Sequence, residues 1–158
     1  MMSPEVLAQD VEASIKYLNT TLSPFEESDS SFAPQPDMFT VAQQIAHVAR
    51  TIEWFADGPI SGKPWDMEFD KHVEEIRSFT SVADAKAWVN KAAAEALAKI
   101  RALPPEWAET LSPADDPIMP GLPQFRVITA MIEHTAHHRG SLAVYLRLLG
   151  KVPPVPYF

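Results

Sequence analysis

Proline placement limits what this chain can fold into. The chain has fifteen prolines, and all of them except Pro4 fall in four clusters, at residues 24–36, 59–64, 104–123 and 153–156. Proline breaks the interior of a helix because it lacks an amide donor and its ring clashes with the preceding turn. The stretches without proline are therefore the segments that can be helical. We predict four helices, at residues 3–22, 37–57, 81–104 and 124–149.

The predicted ends of these helices carry residues that start or stop a helix. Pro4 lies in the first turn of the first helix, and Asp37 is the predicted N-cap of the second. Gly58, followed by proline, ends the second helix, and Gly150 ends the fourth. The third begins with the segment SVAD at Ser81, which resembles a capping box with aspartate in place of glutamate.

An all-α four-helix bundle is the predicted architecture. No segment shows the alternation typical of strands, so we expect no sheet. Helices of about twenty residues are rods of ~30 Å, the size found in four-helix bundles. The 158 residues suit a single domain, residues 1–158. The loops on either side of the third helix are long enough for a crossover or for covering a site, and we expect a short helix or hairpin around residues 66–78 and 106–120.

Composition excludes several classes of function. The chain has no cysteine, which rules out disulfides, thiolate metal sites and a cysteine nucleophile. Its net charge is −8, with 13 basic against 21 acidic residues, so we expect no nucleic-acid partner. No apolar run approaches the ~18 residues of a membrane span, and the N-terminus lacks the features of a secretory signal. We therefore predict a cytoplasmic protein that binds neither nucleic acid nor membrane.

Three of the five histidines lie in the segment HTAHHRG, which starts at His134. On a helical wheel, His138 lies in the core-facing stripe of the fourth helix and His134 lies at the edge of that stripe, one turn away. His137 lies about 100° from His138, on a flank. The wheel therefore pairs His134 with His138. This spacing lets one helix bind a divalent metal through two imidazoles, although two hydrogen-bonded core histidines without metal explain it equally well.

The remaining histidines give weaker signals. His47 lies on the second helix, about 80° from the core stripe of that helix, so its position alone indicates a histidine at the core boundary. It shares a helix face with Gln44, Thr51 and Trp54, which are candidates for residues near a site. His72 has charged neighbours in the sequence and is expected to be exposed.

The order of these histidines resembles the DinB-like (damage-inducible) metal-binding family. The resemblance consists of one histidine on the second helix, the pattern H-x-x-H-H-R-G on the last helix, and the ending YLRLLGKVPPVPY. It covers essentially the whole chain. It implies a four-helix bundle with up-down-down-up connectivity and one divalent metal ion held by His47, His134 and His138. Ser141 departs from the family pattern, in which glutamine is common, and Tyr145 is a further candidate near the site.

The resemblance also bears on activity. Three imidazoles leave coordination positions open, as in catalytic sites, and they suit Zn²⁺, Ni²⁺, Fe²⁺ or Co²⁺. Relatives include enzymes that use a low-molecular-weight thiol, such as bacillithiol or mycothiol, for S-transfer or for maleylpyruvate isomerisation. Two functions stay open. One is a metal-dependent transferase or hydrolase that uses such a thiol or a metal-activated water, and the other is a non-catalytic metal-binding stress-response protein.

Family members are often homodimers, and the fourth helix carries a surface that suits this. Ile132, Ala136, Gly140 and Ala143 form a second helix face, away from the histidines. Small side chains let two helices approach closely. This face either forms a two-fold interface with a second copy or packs inside the bundle.

Overall fold

A computed structural model describes residues 2–157 of the chain. Among these residues there are five α-helices and no β-strand, and one antiparallel bridge joins Leu111 to Pro123. The helices are α1 Pro4–Leu22, α2 Val41–Asp57, α3 Phe69–Arg77, α4 Val82–Arg101 and α5 Phe125–Leu148. The all-helical prediction is confirmed, and the four long helices are those predicted from the prolines. The short α3 is the additional element expected near residues 66–78, whereas the only helical turn within 106–120 is Trp107–Glu109.

Capping side chains fix where the long helices start. Ser3 and Ser81 each accept a hydrogen bond from the backbone amide three residues further on. The predicted cap of α2, Asp37, is wrong, because this helix begins directly after Thr40. Thr40 and Gln43 form a capping box in which each side chain accepts a hydrogen bond from the backbone amide of the other residue. The capping box provides hydrogen-bond partners for the backbone amides of Thr40 and Gln43. Asp37 lies too early in the chain to reach these amides.

The four long helices pack around one hydrophobic core. Both α1 and α2 lie against α4 and α5. The alanine-rich α4 buries Ala85, Ala92 and Ala96 completely, and side chains this small allow close packing of helices. The largest fully buried side chains are apolar and non-aromatic: Leu7, Val11, Leu18, Leu22, Ile45, Ile52, Ile76, Ile100, Ile128, Met131, Leu142 and Leu146.

Ion pairs show which helix ends lie together. Arg101, at the end of α4, pairs with Glu5 at the start of α1, with 3.2 Å between nitrogen and oxygen. Lys99, in the same last turn of α4, pairs with Asp57 at the end of α2. Lys151, just after α5, pairs with carboxylates just after the end of α1. The start of α1 therefore lies at the same end of the bundle as the ends of α2 and α4.

The long connections contact each other and the bundle. Helix α3 lies in the connection between α2 and α4, and it packs on α2. The connection from α4 to α5 is joined to the loop after α2, because the indole of Trp65 donates a hydrogen bond of 3.0 Å to Asp116. None of the helices within residues 2–157 has the length and apolarity needed to cross a bilayer.

Candidate metal centre

Three imidazoles meet between α2 and α5. His47 comes from α2, and His134 and His138 come from successive turns of α5. The Nε2 atom of His134 lies 3.2 Å from Nε2 of His47 and 3.1 Å from Nε2 of His138. One ring nitrogen from each residue lies within 4.8 Å of the other two. The fold thus brings together the three histidines that the resemblance selected, and we call them the three-histidine group.

The spacing of the ring nitrogens suits ligands of one metal ion. A zinc–imidazole bond is ~2.0–2.1 Å long, so two ligands of a tetrahedral ion lie about 3.3 Å apart. The two measured separations are 3.2 and 3.1 Å. An all-nitrogen donor set also suits Ni²⁺ and Fe²⁺. The group therefore has the donor atoms and the spacing to hold a divalent ion.

Burial keeps these imidazoles neutral at physiological pH. It lowers the pKa of His138 to about 3, with smaller contributions from neighbouring imidazoles. It lowers the pKa of His134 to about 4, again helped by nearby histidines. The pKa of His47 is also lowered, by burial first and then by His137. A neutral imidazole has a lone pair for a metal ion, whereas a protonated one has none.

Gln44 supports the three-histidine group from α2. Its side chain is buried, and its amide lies 2.6 Å from Nδ1 of His138. When Nε2 of a histidine binds a metal, Nδ1 carries the proton and needs an acceptor. The amide oxygen of Gln44 is that acceptor once the amide group is flipped, because its oxygen and nitrogen have nearly the same shape. Gln44 can therefore hold the tautomer that leaves Nε2 of His138 available. By contrast, Nδ1 of His47 is buried without a hydrogen-bond partner.

The other two histidines lie outside the three-histidine group. His137 is exposed on the flank of α5, with its ring edge-on to His138. The prediction that His72 is exposed is wrong, because only 9% of this residue is accessible. Its Nε2 lies 2.9 Å from a carboxylate oxygen of Asp66 and 2.8 Å from a guanidinium nitrogen of Arg50. These polar partners offset the cost of burying the ring.

A cavity of about 330 Å³ opens beside the three-histidine group, and we call it the aromatic pocket. His47 and His134 form one part of its wall, and the rings of Phe39, Trp54 and Phe69 form another. This volume is at the small end of ligand-binding pockets. A larger cavity of about 540 Å³ lies between the long connections, but none of the three histidines lines it.

The other residues that the sequence suggested near the site lie in different places. Thr51 and Trp54 line the aromatic pocket. Tyr145 is buried and donates a hydrogen bond of 3.0 Å to the backbone carbonyl of Phe39. Ser141 lies with Tyr145 beside a second, shallower cleft. Two of these four residues thus belong to the pocket that the histidines face.

Much of the pocket wall was not identified from the sequence. Phe39 follows a proline-rich segment, and Phe69 and Val73 belong to α3. Of these wall residues, Arg50 is the one whose position near the site is indicated by the sequence, because it lies one turn after His47 on the same helix. No local pattern indicates that α3 packs on α2, so its contribution to the pocket depends on the tertiary fold.

An all-helical bundle with three histidines gathered between two helices defines a class of protein that can hold a divalent metal. A family model described as the DinB superfamily matches residues 10–142 of this chain. Because the match spans most of its length, the protein belongs to the DinB superfamily. A comparison with curated proteins found no match.

Proposed function

We propose that the protein binds one divalent metal ion through His47, His134 and His138 and uses it in catalysis. The observation that carries this proposal is the meeting of their ring nitrogens at separations of 3.1 and 3.2 Å, beside a cavity. The lowered pKa values of the same histidines keep their lone pairs available. Zinc, nickel and iron(II) are the metals that this donor set suits best.

The reaction that we propose is a group transfer or a hydrolysis. Within residues 2–157, the group that could hold a metal contains these histidines and no carboxylate, so a further ligand would be water or a substrate. A bound divalent ion supplies positive charge that stabilises a thiolate or lowers the pKa of water. Since the chain has no cysteine, a nucleophilic thiol must come from a small molecule. A thiol of the bacillithiol or mycothiol type is the candidate that the resemblance suggests. His47 and His134 face the aromatic pocket, where the second reactant has room to bind.

The alternative is a non-catalytic metal-binding protein of the stress response. Structural metal sites are usually closed by four protein ligands and need no cavity beside them. Here a space of about 330 Å³ adjoins two of the three histidines. The cavity therefore favours the enzyme over the alternative.

Metal analysis followed by a reaction screen tests this proposal. We expect one equivalent of metal per chain, and we expect consumption of a small thiol with an electrophile that stops when a chelator is added. A chain that stays metal-free after incubation with Zn²⁺, Ni²⁺ and Fe²⁺ would rule out the metal site. Full metal occupancy without thiol transfer or hydrolysis would instead favour the non-catalytic alternative.

The proposal includes the up-down-down-up connectivity that the resemblance implies. The pairing of Arg101 with Glu5 supports opposite directions for α4 and α1. The pairing of Lys99 with Asp57 supports a common direction for α4 and α2.

We also propose that the chain forms a single domain. We further propose a cytoplasmic location, which the cysteine-free composition suits.

We further propose a homodimer that uses the second face of α5. On this face Gly140 is exposed, and Ile132, Ala136 and Ala143 are only partly buried within the chain. Ala143→Arg should give a folded, metal-loaded monomer, because the long charged side chain prevents close helix packing. Light scattering measures the mass of both proteins. An unfolded variant would assign this face to the bundle interior, and a wild-type monomer at high concentration would remove the dimer.

A further inference from the structure

Aromatic rings surround much of the pocket beside the three-histidine group. They belong to Phe39, Trp54, Phe55 and Phe69. The ring of Trp54 lies 5.2 Å from that of Phe55 and 5.9 Å from that of Phe69, measured between centroids, so the three form one continuous wall. Rings favour an aromatic guest, because edge-to-face and offset stacking contribute beyond the burial of apolar area.

Polar groups on the pocket wall already have partners. The hydroxyl of Thr51 donates a hydrogen bond of 2.9 Å to a carbonyl one turn earlier in α2. The indole N–H of Trp54 donates one of 2.6 Å to the carbonyl of Asp66. The Nε2 of His72 lies between Asp66 and Arg50. A guest therefore gains little from hydrogen bonds to these side chains, and its polar end is best placed toward the three-histidine group.

Arg50 brings a positive charge to the wall, but carboxylates surround it. Its guanidinium nitrogens lie 3.5 Å from Glu53, 3.6 Å from Asp66 and 3.3 Å from Glu75. The Nε atom makes no well-aligned hydrogen bond, yet it is the atom that Glu75 approaches. These three carboxylates outnumber the single guanidinium, so the charge around Arg50 is negative overall. An anionic guest is therefore not attracted to this wall.

The volume of the pocket limits the size of its guest. The pocket measures about 330 Å³. A cavity of ~150 Å³ holds one benzene ring, so there is room here for two fused rings or for one ring with a short substituent. A longer guest would extend past Phe69 and Val73, which are 47% and 41% exposed.

We propose that the aromatic pocket binds small, uncharged aromatic molecules of one or two rings, with the reactive group toward His47 and His134. Such a molecule would serve as the second reactant of the proposed transfer when it carries an electrophilic carbon, at which the thiolate displaces a leaving group or adds to an activated double bond. The inference rests on the proposed function for the reaction, whereas the binding preference depends only on the pocket wall.

An isosteric pair of ligands tests the preference for an uncharged guest. Naphthalene-2-carboxamide and naphthalene-2-carboxylate differ in charge and hardly in size. Ligand-observed NMR with the chelator-treated full chain should give a dissociation constant at least ~10-fold lower for the amide. Equal binding, or tighter binding of the carboxylate, would overturn the proposal. Because metal is absent, this result is independent of whether the protein binds a metal, which metal analysis decides separately.

Two matched variants test whether the amide binds in this pocket. Phe69 and Met67 are both 47% exposed, but only Phe69 lines the pocket. Phe69→Ala should weaken amide binding by about 5-fold, whereas Met67→Ala should change it by less than ~2-fold. Equal effects of the two variants would overturn the proposal.

A third variant keeps the test valid if Phe69→Ala fails to fold. Val73→Trp fills the pocket from its exposed rim and should also weaken amide binding by at least ~5-fold. Unchanged binding in this variant would overturn the proposal as well. If chelation unfolds the chain, as circular dichroism will reveal, the same three variants are compared as metal-loaded proteins.

Discussion

Two clusters of polar side chains share the wall of the aromatic pocket, and they differ in what completes them. The three-histidine group consists of imidazoles supported by the amide of Gln44. The second cluster, which we call the Arg50 cluster, consists of Arg50, Glu53, Asp66, His72 and Glu75. In the Arg50 cluster every charge has an opposite charge within 3.6 Å. The three-histidine group contains neither a carboxylate nor a guanidinium.

This difference explains why one cluster is a candidate metal centre and the other is not. His72 is buried beside both a carboxylate and a guanidinium, so it needs no further partner. The Nε2 atoms of His134 and His138 lie 3.1 Å apart with no carboxylate in the group. Burial holds both rings neutral, so both present lone pairs. Such an arrangement suits a divalent cation, which is the basis of the proposed metal site.

The largest effect is expected when a member of the three-histidine group is removed. His47→Ala, His134→Ala and His138→Ala should each lower metal affinity by more than ~100-fold, because each loses one of three ligands. His72→Ala should keep its metal, since His72 belongs to the Arg50 cluster. Metal content after dialysis, measured by mass spectrometry, compares them.

Two results would contradict this division of the histidines. One is loss of metal from His72→Ala. The other is loss of metal from His137→Ala while His138→Ala keeps it, which would make His137 the ligand on α5 in place of His138. His137 is exposed, so its substitution should leave the fold intact.

A smaller effect is expected from Gln44. Gln44→Ala removes the partner of Nδ1 of His138 and should weaken metal binding by about 10-fold, the usual cost of losing a residue that orients a ligand. Gln44→Glu should restore the affinity, because a carboxylate accepts the same hydrogen bond. Competition with a chromogenic chelator measures both variants. Unchanged affinity in Gln44→Ala would mean that the amide only fills space.

The smallest effect is expected from pH on the metal-free protein. The pKa values of His134 and His138 in the folded chain are about 4 and about 3, below the ordinary 6.5. As pH falls from ~6.5 toward those values, the unfolded chain binds protons that the folded chain does not, so the free energy of unfolding decreases. Above pH ~7.5, where the histidines of the unfolded chain are also neutral, these groups should contribute almost no pH dependence.

Urea unfolding in the presence of chelator measures this dependence. The double variant His134→Gln/His138→Gln should show a weaker loss of stability between pH 7 and pH 5 than the wild type. If the free energy of unfolding changes with pH in the same way for both proteins, other groups cause the acid sensitivity. The burial of neutral histidines would then not distinguish the three-histidine group from the Arg50 cluster.

The candidate site was only partly predictable from the sequence. A regular helix fixes the relative directions of its own side chains, so the wheel paired His134 with His138 and set His137 aside. The position of His47 depends on how α2 packs against α5. Its wheel angle, about 80° from the core stripe, indicated only a boundary residue. The resemblance to a family, rather than periodicity, selected it.

Errors in the fold prediction have local and non-local causes. Asp37 is the predicted N-cap of α2, although Thr40 and Gln43 fit the capping-box pattern, which is visible in the sequence. The burial of His72 could not be foreseen in the same way. Charged neighbours along the chain indicate solvent, and only the folded arrangement shows that Arg50 and Asp66 surround its ring.

The position of α3 has a consequence for how such proteins diverge. Phe69, Val73 and Ile76 on α3 shape the aromatic pocket, whereas the three-histidine group lies entirely on α2 and α5. Substitutions in α3 therefore change the shape of the pocket without altering the three-histidine group. Under the proposed function, one reaction is kept while its range of substrates shifts, and laboratory selection for new substrates should begin with residues 66–78.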